Sequence, residues 1–286
     1  MTETLLALFA HPDDEAFGSG GTLAHYAAKG AMTALVCSTN GDVGEIADPA
    51  LATPETLWQV RQDELRCAAG MLGVQELIFL GYRDSGMVGT PENEDPRAYI
   101  NVPAGEVVAR LVGIIRRLQP QVVLTFEPNG GYGHPDHLAI HRHTVAAFHS
   151  AADAAQFPEQ GQAWQANRLF YQVIPRSFFL EMRDRMVAQG EDVDGWQERI
   201  DKGELGWPDD QVDAVIDVAD QVEAKFAALM CHATQFGPES FFRKLPDDAL
   251  KQMLSREAYA LAWPMEQKSV VMDDLFGGLG AVNSRQ

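Results

Sequence analysis

Basic residues are scarce. Twenty-two Lys and Arg stand against 41 Asp and Glu, a formal net charge of −19 with a pI near 4.7. Nucleic acid and anionic membrane surfaces both call for basic patches, so neither is expected as a partner. Cysteine is also sparse. Cys37, Cys67 and Cys231 are widely spaced with no CxxC, which predicts no disulfide framework, a reducing compartment, and three small buried apolar residues. No apolar run approaches the roughly 20 residues that span a bilayer. The N-terminus shows no basic segment followed by an apolar core, so no signal peptide is expected. These absences together predict a cytoplasmic protein. The glycine-rich segment GSGG at 18–21 falls short of a full GxGxxG. It reads as tight strand–helix packing rather than a dinucleotide site. There is no internal repeat and no low-complexity linker.

The rest is an ordinary globular composition, 46% hydrophobic and 22% charged over 286 residues. Strand-like apolar runs at 4–10, 32–38, 76–80 and 121–126 alternate with helical patterns at 22–28, 54–72, 104–118 and 135–151. That order predicts an α/β, Rossmann-like, mostly parallel sheet flanked by helices. Right-handed crossovers put all strand carboxyl ends on one edge, where ligands of such sheets bind. Residues 1–175 are expected to form the Rossmann-like core. Residues 176–286 are expected to pack on it as a smaller irregular part of the same domain, with strands at 169–174 and 214–218 and helices at 177–187 and 221–232. Residues 191–210 read as acidic and turn-rich, and the tail from Gly277 as frayed. The polar stretch 90–102 reads as a surface loop or flap. Phe241, Phe242 and the segment 258–263 are expected to cover the site or form a contact in a homo-oligomer.

Two clusters stand at that edge. HPDDE at 11–15 follows the first strand, and GGYGHPDH at 130–137 follows the fourth. One imidazole and three carboxylates after a buried strand carry a heavy cost unless a cation or proton offsets them. Helix capping accounts for one acid, not three. His11 and Asp14 lie three apart at a strand–helix junction, and His134 and His137 share that spacing. A catalytic zinc needs three protein ligands and an open position. His137 and His141, four apart, are an alternative pair. His25, His143, His149 and His232 read as solvated or hydrogen-bonded histidines.

HPDDE together with GHPDH resembles the LmbE-like, or PIG-L, zinc-dependent de-N-acetylases. YRDSGM at 82–87 and GGYGHPDH are similar to the branch acting in mycothiol and bacillithiol pathways. The resemblance covers residues 4 to about 150 well and the remainder loosely. It implies a metal held by His11, Asp14 and His137, with Asp13 as general base. It implies His134 as general acid or oxyanion donor, oriented by Asp136, and Tyr132 as a second donor. Arg61, Asp84 and Glu45 match positions around the sugar; an ordinary surface ion pair is the bland reading of Arg61 and Asp84. The implied cofactor is one zinc ion, although iron and manganese suit the same donors. The implied substrate is a small N-acetylglucosaminyl conjugate, and the absence of a membrane segment sets aside the membrane-bound branch. An amidase of thiol conjugates with the same metal site, and a non-catalytic Rossmann-like binding module, are the alternatives.

Overall fold

The computed structural model describes residues 2–188, 190, 193, 195–237, 246–265 and 270–279. Seven strands form one sheet: β1 (Thr4–Phe9), β2 (Met32–Thr39), β3 (Glu76–Tyr82), β4 (Val122–Phe126), β5 (Arg168–Val173), β6 (Ala214–Asp217) and β7 (Arg256–Trp263). Their order is β3-β2-β1-β4-β5-β7-β6. The first five are parallel to one another, and β7 runs antiparallel between β5 and β6. β1, β2 and β4 carry continuous apolar runs because helices cover both faces of the sheet.

The helices are α1 (Asp14–Gly18), α2 (Gly20–Ala28), α3 (Leu57–Met71), α4 (Ala104–Leu118), α5 (Gly130–Gly133), α6 (Pro135–Ala152), α7 (Arg176–Ala188), α8 (Trp196–Asp201), α9 (Val222–Cys231) and α10 (Asp247–Leu254). α4 packs on α6 and α3 on α9. α4 follows its 3.6-residue pattern: Val107, Val108, Leu111 and Ile115 are buried. The chain leaves α4 through Gln119 in the left-handed region, φ 50°, just before Pro120, which cannot continue the helix. α1, α5, α8 and α10 have no counterpart in the sequence reading.

Four expectations need correction. Residues 90–102 are no free flap, because Tyr99 is wholly buried, its hydroxyl is 2.9 Å from His143 Nδ1, and its N–H donates to the Arg83 carbonyl. The segment at 258–263 is not a cover or a contact between copies. It is most of β7, an interior strand of the sheet, and the core joins Tyr259 to β1 residues. Phe241 and Phe242 lie outside the described residues. Cys67 and Cys231 are not isolated thiols but a disulfide, with Cys67 exposed on α3; Cys37 is the free, buried cysteine. The inference of a reducing compartment loses that premise. No helix among the described residues is long and apolar enough to cross a membrane.

The GSGG segment is a close-packing device. A Cβ on Gly18 would fall on the Gln172 amide, and one on Gly21 would stand 2.5 Å from Val218 Cγ2. This approach lets Glu257 of β7 accept the N–H groups of Gly21 and Thr22 at 2.9 and 2.7 Å, capping the amino end of α2. Lys225 of α9 pairs with the same carboxylate at 2.7 Å, both side chains buried. The last third is thereby tied into the first motif.

Candidate metal centre

β1 ends at Phe9, and the chain turns at once into α1. The turn is closed by Asp14, whose Oδ2 accepts the N–H groups of Ala10 and His11 at 3.1 and 2.7 Å. Its Oδ1 lies 3.3 Å from His137 Nε2. His137 comes from the first turn of α6, after β4. Its ring stacks on Phe126 at 4.0 Å, and its Nδ1 is 3.1 Å from the Gly130 carbonyl. That bond places the ring proton on Nδ1 and turns the Nε2 lone pair toward Asp14 and His11. His11 Nδ1 stands 3.1 Å from His137 Nε2 and 3.6 Å from Asp14 Oδ2. Two nitrogens and a carboxylate from segments more than a hundred residues apart thus converge.

The spacing suits a divalent ion. Donors 2.0–2.2 Å from a tetrahedral centre stand about 3.3–3.6 Å apart. The electrostatics agree. Burial opposes a charged His11 ring, yet Asp84, Asp136 and Asp14 overcome it and hold its pKa well above the ordinary value. The pocket therefore favours a positive charge at this place. His134 also has a donor within 4.8 Å of the His11 and His137 donors, as a buried cluster. His141 is outside it, its Nδ1 2.8 Å from the Phe126 carbonyl.

Asp136 differs from its expected role. Its buried carboxylate meets His11 Nε2 at 3.2 Å and accepts both the N–H and the hydroxyl of Ser85. It orients His11, as a carboxylate behind a metal-ligating histidine does. His134 instead receives the Asp136 backbone N–H on Nδ1 at 3.1 Å. Burial, with the neighbouring His11 and His137, pushes the His134 pKa down to about 3. The ring is neutral, with its proton on Nε2, and not the imidazolium that a carboxylate partner would have favoured.

Asp13 sits beside the cluster in a strained backbone, φ 122° and ψ −27°. Such a conformation costs a non-glycine residue on the order of 1–3 kcal/mol and persists only where neighbours enforce it. Glu15 Oε2 accepts the Asp13 N–H at 3.1 Å. Arg61 of α3 reaches Asp13 Oδ2 at 3.1 Å, the Pro12 carbonyl at 2.7 Å and the Gly41 carbonyl at 2.9 Å. Arg61 is 3% exposed, so it is no surface ion pair. Burial raises the Asp13 carboxyl, Arg61 lowers it and Asp14 raises it, leaving it at about 6.

Tyr132 of α5 is more than half exposed, its ring 5.0 Å from that of His137. Asp84 is buried 3.5 Å from His11 Nε2 and accepts the Gly86 N–H. Burial would raise its carboxyl, but the His11 charge and these hydrogen bonds hold it well below the usual range. Glu45 is exposed on the loop after β2, and its carbonyl, not its carboxylate, meets Gln235 at 2.9 Å. The structure does not bring Glu45 into the cluster.

Sequence reasoning missed His232. It is wholly buried at the end of α9, with Nε2 2.7 Å from Glu15 Oε1. Its local sequence carries no signal, because the partner lies 217 residues away.

The profile of the family described as GlcNAc-PI de-N-acetylase, PIG-L, matches residues 6–148. A 1D-myo-inositol 2-acetamido-2-deoxy-alpha-D-glucopyranoside deacetylase of Geodermatophilus obscurus is 38% identical over 286 residues, spanning 96% of this chain and 97% of that protein. The protein of that name from Streptomyces scabiei is 37% identical, spanning 98% and 90%. Among solved structures, N,N'-diacetylchitobiose deacetylase from Pyrococcus horikoshii superposes with a TM-score of 0.61 at 20% identity, over 91% of this chain and 83% of that one. The 4-carboxy-2-hydroxymuconate hydratase GalB from Pseudomonas putida superposes at 0.63 with 18% identity, over 94% and 100%. Likeness at that distance shows a shared fold, and the hydratase shows that this fold carries more than one chemistry.

Proposed function

We propose, since this chain belongs to the PIG-L family of de-N-acetylases, that it is a zinc-dependent hydrolase removing acetyl from an N-acetylglucosamine unit on a small polar aglycone such as inositol. The carrying observation is the convergence of His11 Nδ1, His137 Nε2 and the Asp14 carboxylate at 3.1–3.6 Å, with Asp13 beside them. His11, Asp14 and His137 would hold the ion, their set leaving a position open. When bound, such an ion acts as a Lewis acid on the amide carbonyl and lowers the pKa of water toward about 7.

The remaining chemistry belongs to side chains. Asp13, raised toward neutrality and held from both ends, takes the proton of the attacking water. His134 offers its Nε2–H to the oxygen on which negative charge develops; a neutral donor already aimed there needs no proton from solution. Tyr132, at the mouth, is a second donor. The amine leaves as it takes up the proton that Asp13 received from the water. Arg61 has its amino groups committed to Asp13, Pro12 and Gly41, so it serves the base and not the sugar.

The deciding experiment incubates the zinc-loaded protein with N-acetylglucosaminyl inositol, N-acetylglucosaminyl malate and a bulky thiol conjugate, and measures free acetate and amine. Fastest release from the inositol compound is expected. Faster cleavage of the thiol conjugate would transfer the assignment to an amidase, and no hydrolysis of any amide would reject the reading.

A further inference from the structure

We propose that His232, acting through Glu15, is a positioning residue for the Asp13 carboxylate. The inference rests on Asp13 as the base of the reaction above, and its geometry is a two-bond relay. His232 Nε2–H donates to Glu15 Oε1 at 2.7 Å, and Glu15 Oε2 accepts the Asp13 N–H at 3.1 Å. Glu15 is 1% exposed, so water does not replace either partner. The N–H it holds belongs to the residue at φ 122°. An L-residue keeps that angle only when its surroundings over-determine it.

The relay is braced from outside the motif. Cys231, the residue before His232, is bonded to Cys67 on α3. Thr234, two residues after it, donates its N–H and hydroxyl to Glu64 of α3 at 2.8 and 2.6 Å. α3 also carries Arg61, which grips the Asp13 carboxylate. Arg61, which holds the Asp13 side chain, and His232, which steadies the Glu15 that holds its backbone, therefore belong to a single α3–α9 frame. His232 Nδ1 is buried without a partner among the described residues. The ring is thus held in place by Glu15 on one side, and substitution there releases Glu15 rather than dismantling a wider network.

With His232 shortened, Glu15 Oε1 is left buried without a donor. The carboxylate then rotates toward other donors and lets go of the Asp13 N–H, and Asp13 relaxes to negative φ. A base misplaced by about 1 Å costs on the order of a hundredfold in rate.

The test uses the full-length, zinc-loaded protein with N-acetylglucosaminyl inositol. His232→Ala is expected to keep its metal and its KM within about twofold, while kcat falls roughly 10–100-fold. Its crystal structure is expected to show Asp13 out of the positive-φ region. His232→Gln, whose amide N–H reaches Glu15, is expected to restore most of kcat. An unchanged kcat in folded, metal-loaded His232→Ala, or an Asp13 that keeps its conformation in that structure, overturns the proposal. Should His232→Ala not fold, the double cycle of His232→Leu, which fills the space but donates nothing, with Glu15→Gln decides. Losses that fail to add are expected of one relay, and additive losses overturn it. Wild-type protein that cleaves no amide would reject the deacetylase reading alone, because the displacement of Asp13 is read from coordinates without turnover.

Discussion

Arg61 Nη2 stands 3.1 Å from Asp13 Oδ2 and 2.7 Å from the Pro12 carbonyl. One guanidinium thus fixes both the carboxylate and the backbone that precedes it. An ion pair alone would keep Asp13 fully ionised. Burial and the neighbouring Asp14 offset it and leave the carboxyl near 6, where it accepts a proton at neutral pH and also releases it.

Asp13→Asn keeps the shape and removes the basicity. The variant is expected to bind zinc as the wild type does and to lose about 10²–10⁴ in kcat/KM. Metal content by mass spectrometry alongside amine release checks this. Normal turnover would remove Asp13 from the role of base.

Asp136 supports His11 and not the His134 ring, so its loss is expected to show first in metal affinity. Asp136→Asn should weaken zinc binding roughly 10–100-fold in competition with a chromophoric chelator. The rate of the zinc-saturated variant should fall less steeply. A variant with unaltered zinc affinity would contradict the assignment.

His143 accepts the Tyr99 hydroxyl from within the core, and burial, aided by the charge of Arg142, lowers its pKa to about 4. In the unfolded chain the ring titrates near its ordinary 6.5. Between these values the unfolded state binds the extra proton, so stability is lost as pH falls from about 6.5 to about 4. His143→Asn keeps an acceptor for Tyr99 and cannot titrate. Chemical denaturation from pH 7 to pH 4.5 is expected to show a shallower loss for that variant, and parallel curves would refute it.

The Cys67–Cys231 bond closes a loop of 164 residues in sequence separation. Cross-links of such length restrict the unfolded chain, and removing one costs about 2–5 kcal/mol. Thiol titration of the denatured protein should find Cys37 alone, and three thiols after reduction. Dithiothreitol is expected to lower Tm by several degrees. Three thiols before reduction would dispose of the bond.

The meeting of His11, Asp14 and His137 could be read from sequence because each half is local. His11 and Asp14 share one strand–helix junction, and His137 begins the helix after another. Parallel topology then brings the two junctions together. What escaped reading depends on encounters across the fold. Nothing near His232 announces Glu15, and nothing near Cys67 announces Cys231. The Asp136 side chain was assigned to its sequence neighbour His134, whereas the fold turns it toward Ser85 and His11. Arg61 reads from sequence as a sugar-holding position or a surface ion pair, and only the turn at Pro12 and Gly41 gives it an interior place beside Asp13. β7 carries its apolar pattern openly, but its insertion between β5 and β6 is a long-range pairing that the pattern does not encode.

That insertion has a consequence for synthesis. Translation delivers β5 and β6 before the strand that separates them. Until Arg256–Trp263 leaves the ribosome, the flank of β5 is a bare strand edge, the kind of surface on which nascent chains cross-pair. Ribosome-stalled chains ending before residue 256 are therefore expected to recruit holdase chaperones more strongly than released full-length protein.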